Sequence, residues 1–176
     1  GGRYHTRLLG PPDLKALQAL FERAADYFQI ATGADPAADE APRAFVAGPP
    51  HKSVKDKRVI GVWTEDHQLV GVLDALTDFP SDGTWTMGML LLDPAHRSQG
   101  LGGATLAAYE GWAAGLGAGA FRTALVAHHA AGLAFLEDKG YRRLSTLGDY
   151  DAGSRRATVV FLEKSPRAGS PATPSP

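Results

Sequence analysis

Three glycines stand where an apolar strand pattern gives way to a helical one, and they could bring a phosphate close to the backbone. Gly100, Gly102 and Gly103 lie at the expected start of that helix. The first turn of a helix has unpaired N–H groups and a partial positive charge, and glycine allows a ligand to approach it. The guanidinium of Arg97 could bridge two phosphates. The segment predicts a pyrophosphate site formed by Arg97, Ser98, Gln99, Gly100, Leu101, Gly102 and Gly103.

Other phosphate-binding loops fit this segment less well. The dinucleotide fingerprint needs a third glycine three positions after the second, where this chain has Thr105. The lysine of an ATP-binding P-loop is also absent from the segment. The glycines could instead form only a tight connection between strand and helix. The neighbouring arginine and the preceding strand favour a binding role.

The segment resembles the acyl-CoA motif of the GNAT N-acetyltransferase superfamily, Arg-x-x-Gly-x-Gly after a strand that ends in Asp93-Pro94. A second stretch, His129-x-x-Gly132-x-x-Phe135-Leu136 and then Gly140-Tyr141, is similar to that family's Asn-x-x-Ala-x-x-Phe-Tyr and Gly-Phe. The resemblance covers about residues 84–144, and the order of elements over residues 3–163 is also similar. It implies an enzyme that uses acetyl-CoA as its acyl donor.

The resemblance also implies where the cofactor lies. The strand that begins at Thr84 would separate from the strand at Phe121 at a bulge, and the pantetheine arm would occupy the gap. Backbone groups of Leu90, Leu91 and Leu92 would bind the pantetheine amides, and one of their N–H groups would polarise the thioester carbonyl. An amine would then attack the thioester directly, with no covalent enzyme intermediate.

The proton transfers point to a few side chains. An alkyl amine has a pKa of about 10.4, so a base or a water relay must deprotonate it. Asp74 is the first candidate, followed by Asp78 and the more distant Glu65, although each could be only a solvated strand edge or turn cap.

A second set of residues concerns the leaving group. The family's usual proton-donating Tyr is replaced by Leu136. His129 matches a motif position and could bind the cofactor or supply the proton, whereas we interpret His128 as a helix cap. Two adjacent histidines do not make a metal site, and we predict none.

The acceptor should be selected by residues 27–57, a region similar in location to the family's variable substrate-binding helices. Its charges conflict. One group of acidic side chains would attract a cationic amine, and one group of basic side chains would attract an acidic acceptor or a cofactor phosphate. Both groups could also be solvated surface. The groups are Asp35, Asp39 and Glu40, and His51, Lys52, Lys55 and Lys57.

The elements around these residues predict an α/β fold, with a single GNAT-like domain at residues 3–164. Periodicity indicates a mixed central sheet of about six to seven strands flanked by about four helices. The first helix should run from Leu14 to Phe28, with Gly33 as its C-terminal cap. In the strand at residues 84–92, Trp85, Met87, Met89 and Leu91 should share one face. The Pro- and Ser-rich residues 165–176 are expected to be a disordered tail.

Composition excludes several classes of protein. The 176 residues include 18 Lys+Arg, 19 Asp+Glu and no Cys. Balanced charge argues against nucleic acid as a partner, and the lack of cysteine excludes disulfides, thiolate zinc sites and thiol nucleophiles. No apolar run reaches the ~20 residues of a membrane span, and no signal-peptide pattern is present, so we expect a cytoplasmic protein with no membrane association. A homodimer is left open.

Three functions are compatible with these features, and one of them is a binder of a different phosphate ligand on a similar α/β scaffold. The first is an N-acetyltransferase that transfers the acetyl group of acetyl-CoA to a primary amine of a small molecule or peptide. The alternative is a catalytically silent acyl-CoA-binding sensor or interaction module, which Leu136 favours because its side chain has no proton to give.

Overall fold

The chain folds around a seven-stranded sheet, which a computed structural model describes together with five α-helices for residues 3–165. The strands are β1 (Tyr4–Leu8), β2 (Lys57–Thr64), β3 (Leu69–Leu76), β4 (Thr84–Leu92), β5 (Ala120–Val126), β6 (Arg142–Ala152) and β7 (Arg155–Lys164). The helices are α1 (Leu14–Arg23), α2 (Ala25–Thr32), α3 (Glu40–Val46), α4 (Leu101–Gly115) and α5 (Ala130–Asp138). The predicted α/β class and mixed sheet are confirmed. The predicted tail, apart from Ser165, lies outside the described residues.

The sheet has the strand order β1-β2-β3-β4-β5-β7-β6. Every neighbouring pair is antiparallel except β4 and β5, which are parallel. A parallel pair needs a crossover connection, and here α4 provides it. The loop that enters α4 therefore starts at the end of β4, beside the β4–β5 pair. Within residues 3–165, no helix has the length and apolar character that a membrane span requires.

Helices cover both faces of the sheet because β3 alternates between two hydrophobic clusters. Val72 packs in the cluster of α1, α2 and α3, which includes Leu17, Phe21 and Phe28. Its neighbour Leu73 packs in the cluster of α4 and α5 on the other face. The second cluster also contains Trp85, Met87, Leu106, Tyr109, Phe121, Leu133 and Leu136.

The first helix differs from its prediction, because it is broken at Ala24 into α1 and α2. The chain therefore has five α-helices where about four were predicted. The apolar stripe continues across the break, with Phe21 and Phe28 in edge-to-face contact at 5.2 Å. Periodicity could not reveal a break that leaves the stripe intact. Gly33 ends α2 in a left-handed conformation, φ 77°, as predicted.

β4 also differs from its prediction, because a bulge changes which face of the sheet its later side chains point to. Ala75 pairs with Met87 and Asp74 pairs with Met89, so Gly88 is the extra residue. Met87 consequently packs with α4 and α5, whereas Met89 packs against the cluster of α1 to α3. The four apolar side chains predicted to share one face are thus divided between both faces, since one inserted residue shifts the alternation.

Candidate active site

β4 and β5 separate at the Gly88 bulge. They pair only over residues 84–87 of β4 and 120–123 of β5. Beyond this point β5 continues to pair with β7 as far as Val126, and β4 continues to pair with β3 as far as Leu92. A gap therefore opens between the two strands, as the resemblance implied. The backbone edge of β4 that faces this gap has no strand partner among the described residues.

The register of β4 determines which backbone groups face the gap. Asp93 donates its N–H to the Val70 carbonyl at 2.8 Å, so Asp93 points toward β3. Successive residues of a strand point to opposite edges, and Leu91 therefore also faces β3 whereas Leu90 and Leu92 face the gap. The Leu92 carbonyl accepts a hydrogen bond from Nε of Arg97 at 3.0 Å. The backbone N–H and carbonyl of Leu90 both face the gap, and they are therefore the best placed to bind an amide of a ligand there.

The turn after β4 is held by Asp93. Its carboxylate accepts a hydrogen bond from the Ala95 N–H at 3.0 Å and pairs with Nε of Arg23 at 2.6 Å. Ser98 and Gly100 then adopt left-handed conformations, with φ of 59° and 81°. These two residues direct the chain into α4.

The N-terminus of α4 presents free N–H groups, as predicted for an anion site. Ala104 donates to the Gly100 carbonyl at 3.0 Å in the first turn, so the N–H groups of Leu101, Gly102 and Gly103 have no partner within the helix. Apart from Gly100 itself and the residues adjacent to it in the chain, no described residue has an atom within 4 Å of the position that a Cβ on Gly100 would take. Space for an anion therefore exists at this loop.

A groove of about 720 Å³ joins this loop to the gap, and we call it the glycine-loop groove. Its volume is typical of a cofactor site. Two predicted residues do not line it: the Gln99 amide turns back to the Ala95 carbonyl at 3.1 Å, and the Leu101 side chain packs with Val62 and Val70. The predicted residues that line it are Leu90, Leu91, Leu92, Arg97, Ser98, Gly100, Gly102, Gly103 and His129.

Sequence reasoning missed the wall that α2 contributes to this groove. Asp26, Tyr27 and Ile30 line it opposite the loop. Asp26 forms an ion pair with Arg97, and this hydrogen bonding holds the pKa of the Asp26 carboxyl below its ordinary value. No chemical motif marks these residues in the sequence, because they belong to an amphipathic helix whose apolar stripe indicates only packing.

The two adjacent histidines have different environments. His129 precedes α5, and its imidazole lies over Gly132, where a Cβ would approach the ring to 2.6 Å. Burial, then the charges of His128 and Arg97, lower the pKa of His129, so its imidazole is neutral at neutral pH. His128 does not cap α5 as predicted. Its Nε2 lies 2.8 Å from the Ile30 carbonyl of α2.

Asp74 is the carboxylate that lies beside the bulge. It is buried, its Oδ2 lies 3.4 Å from Nζ of Lys57, and its Oδ1 has no hydrogen-bond partner among the described residues. A side chain at Gly88 would collide with Oδ1, so this glycine leaves room for the carboxylate. Burial raises the pKa of Asp74, and the positive charge of Lys57 opposes that shift.

The other charged candidates have structural contacts. Asp78 accepts a hydrogen bond from the Gly83 N–H at 2.8 Å in a turn, and Glu65 is exposed in another turn. Lys57, predicted to attract an acidic acceptor or a cofactor phosphate, begins β2 and pairs with Asp74. Within the region proposed to select the acceptor, acidic side chains make local contacts: Asp35 with Gln29, Asp39 with Arg43, and Glu40 with the Ala37 N–H.

A second cleft, of about 430 Å³, lies between α2, β5 and the β6–β7 hairpin, and we call it the hairpin cleft. It includes Tyr150 and Asp151 from β6. A smaller inner space of about 70 Å³ lies between β4 and β5 at the bulge. Tyr27 and His129 line the groove, the inner space and the cleft, so the three spaces meet at these two side chains.

Three solved structures named as acetyltransferases share this fold. An acetyltransferase from Thermus thermophilus matches with a TM-score of 0.69 and 21% identity, covering 92% of this chain and 96% of that chain. The ribosomal-protein-S18-alanine N-acetyltransferase from Escherichia coli matches with a TM-score of 0.71 and 16% identity, covering 97% and 99%. Spermidine N-acetyltransferase from Vibrio cholerae, solved in complex with CoA and spermine, matches with a TM-score of 0.68 and 12% identity, covering 92% and 95%. At such identities the likeness shows the fold.

The sequence comparisons are more selective. No curated protein sequence matches the chain. The model of the Acetyltransferase (GNAT) family matches residues 17–141, a range that contains the bulge, the glycine loop and the segment from His129 to Tyr141. The chain therefore belongs to the GNAT acetyltransferase family.

Proposed function

We propose that residues 3–164 transfer an acetyl group from acetyl-CoA to a primary amine of a small molecule or peptide, by direct attack in a ternary complex in the cytoplasm. One observation carries this proposal: the glycine-loop groove, the inner space and the hairpin cleft meet beside the bulge. An anion site, a thioester site and an acceptor site would then form one continuous path. The small inner space suits a short acyl group.

The cofactor would bind along the groove. Its pyrophosphate would accept hydrogen bonds from Arg97 and from the free N–H groups at the start of α4. The pantetheine arm would extend the β4 edge in the gap. The Leu90 N–H would stabilise the negative charge that develops on the thioester oxygen during attack.

The amine would enter from the hairpin cleft. Asp74 is the proposed base, acting through water past Gly88, because its pKa is raised and its Oδ1 has no other partner among the described residues. His129 is neutral and lines the junction of the three spaces, so it is the second group that could carry the proton. Attack forms the C–N bond and breaks the C–S bond, which releases CoA.

A silent acyl-CoA-binding module is the second candidate function. Leu136 favours it, because this residue is buried in the core and offers no proton to a leaving thiolate. A thiol with a pKa of about 8.5 leaves tolerably as the thiolate, so this feature does not prevent catalysis. Turnover separates the two functions.

Calorimetric titration with acetyl-CoA, CoA and ATP tests the cofactor site, with Arg97→Ala as the control variant. A panel of primary amines with assay of released CoA then tests transfer. Binding of acetyl-CoA with amine-dependent release of CoA supports the proposal. Binding without acetylated product for any amine supports the silent module, and equal binding of ATP and CoA would contradict both functions.

A further inference from the structure

Tyr27 occupies the junction through which an acetyl group must pass. Among the described residues, only Tyr27 and His129 line the glycine-loop groove, the inner space and the hairpin cleft. His129 approaches from the β5–α5 side and Tyr27 from α2. A thioester that reaches from the groove to an amine in the cleft would therefore lie between these two side chains.

α2 is anchored at both ends, which fixes the position of Tyr27. At its start, Asp26 is paired with Arg97 of the glycine loop. Near its end, three carbonyls accept hydrogen bonds from the β5–α5 loop and the β6–β7 hairpin. These are Ile30 to His128 Nε2 at 2.8 Å, Gln29 to Arg155 Nη2 at 3.0 Å, and Thr32 to the Ser154 N–H at 3.0 Å.

The hydroxyl of Tyr27 differs from those of two other tyrosines in its hydrogen bonding. It forms no hydrogen bond with any of the residues described here, whereas Tyr141 donates to Glu110 and Tyr4 lies 3.0 Å from His96. The Tyr27 ring packs edge-to-face against Phe28 at 5.4 Å. Burial, followed by the negative charge of Asp74, raises the pKa of Tyr27, which keeps the phenol protonated.

We infer that Tyr27 is the proton donor to the sulfur of the departing CoA. This inference rests on the proposed acetyl transfer. When the amine nitrogen bonds to the acetyl carbon, the C–S electron pair moves to sulfur, and the Tyr27 hydroxyl gives its proton to that sulfur. The neutral amine loses one N–H proton as it is acylated, and this proton passes through water to Asp74 and then to the Tyr27 oxygen, so both groups are restored. A substrate that arrives as an ammonium ion releases its additional proton to solvent before the attack.

Among the described residues, no other tyrosine lines the junction. Leu136 stands in the second motif where the resembled family has a tyrosine, and its side chain is hydrocarbon. Tyr150 lines the hairpin cleft but neither the groove nor the inner space. Tyr150 is therefore a matched control, since it shares the cleft and the chemistry of Tyr27 but not the junction.

Binding of CoA and of desulfo-CoA, which lacks the sulfur atom, tests contact with sulfur. Tyr27→Phe should lower the affinity for CoA about threefold to tenfold and leave the affinity for desulfo-CoA within twofold of the wild-type value. Only CoA has the sulfur atom to which the hydroxyl would donate a hydrogen bond. Tyr150→Phe should change neither. Equal weakening of both ligands by Tyr27→Phe, or no weakening of CoA, would overturn the inference. Failure of the wild-type chain to bind CoA would instead remove the proposed function.

Kinetics with the best amine of the panel test proton donation. Tyr27→Phe should lower kcat about a hundredfold or more while the KM for the amine stays within threefold, as expected for a lost general acid. The ring is retained, so packing on Phe28 is preserved, and circular dichroism would verify the fold. An unchanged kcat, or a loss that appears only in KM, would show that Tyr27 does not donate this proton.

Discussion

Arg97 and Asp26 form a bidentate ion pair across the glycine-loop groove. Nη2 of Arg97 donates to Oδ1 of Asp26 at 2.9 Å, and Nη1 donates to the other carboxylate oxygen. Nε of the same guanidinium donates to the Leu92 carbonyl at 3.0 Å. The Arg97 guanidinium, which is proposed to bind the pyrophosphate, is thus already held at the groove. Two of its N–H groups are occupied by the carboxylate of Asp26, a residue of α2.

Loss of Arg97 should weaken binding of the cofactor. We expect Arg97→Ala to weaken the binding of acetyl-CoA by about 1.5 to 3 kcal/mol, because hydrogen bonds to charged groups contribute that much. Calorimetry measures the Kd. Arg122→Ala, which breaks the pair with Glu163 at 2.6 Å outside the groove, is the control and should not change it. Equal affinity of the two variants would show that Arg97 serves only Asp26.

Asp26→Asn should act in the opposite direction. A phosphate must compete with the Asp26 carboxylate for Arg97, and breaking a largely exposed ion pair costs up to about 1 kcal/mol. Removal of the charge should therefore strengthen acetyl-CoA binding by up to about fivefold. Asp35→Asn, which alters an exposed contact with Gln29, is the matched control. Weaker binding by Asp26→Asn would mean that the carboxylate holds Arg97 in its binding position.

Gly102 offers a test that separates folding from binding. A Cβ at this position would meet Leu92 and Phe135 at 3.6 Å, which is ordinary van der Waals contact. Gly102→Ala should therefore fold normally and gain up to about 1 kcal/mol of stability, since the helix propensity of Ala is higher than that of Gly. The same methyl group would occupy the path of the ligand along the groove and should weaken acetyl-CoA at least tenfold. Thermal unfolding and calorimetry measure the two effects, and unchanged binding would exclude close approach of the cofactor to this turn.

The glycine loop could be predicted from sequence because its chemistry is local. Arg97 and the glycines lie within a few residues of each other, and the helix that begins at Leu101 follows directly. Backbone N–H groups at a helix start depend only on where the helix begins. The same holds for Gly33, whose left-handed conformation ends α2 as its residue type predicts.

The rest of the site depends on tertiary contacts that no local pattern contains. Asp26 meets Arg97 because α2 lines the same groove as the glycine loop, and the two residues are far apart in sequence. The bulge at Gly88 arises from the register between β3 and β4. One inserted residue changes which side chains share a face, so simple alternation predicted the wrong faces for Met89 and Leu91. Lys57 was likewise interpreted by its neighbours in sequence, although its partner is Asp74 on the adjacent strand.

The ion pair between Lys57 and Asp74 predicts how activity should depend on pH. A general base works only when deprotonated, so activity falls as the pH falls through its pKa. Burial raises the pKa of Asp74, and Lys57 limits that rise. Lys57→Gln should therefore raise the pKa further and move the acid limb of kcat/KM for the amine to higher pH. Lys55→Gln, at an exposed position nearby, should leave the limb in place.

Asp74→Asn completes this test. It should lower kcat about a hundredfold or more. It should also remove the acid limb of the pH profile, which Lys57→Gln is expected to move to higher pH, because the titrating group is gone. Acetyl-CoA affinity should remain, since Asp74 does not line the glycine-loop groove, and that titration verifies the fold of each variant. If the limb keeps its position in Lys57→Gln, it belongs to another group at the junction, with His129 as the first candidate, and Asp74 then serves only to hold β2 and β3 together.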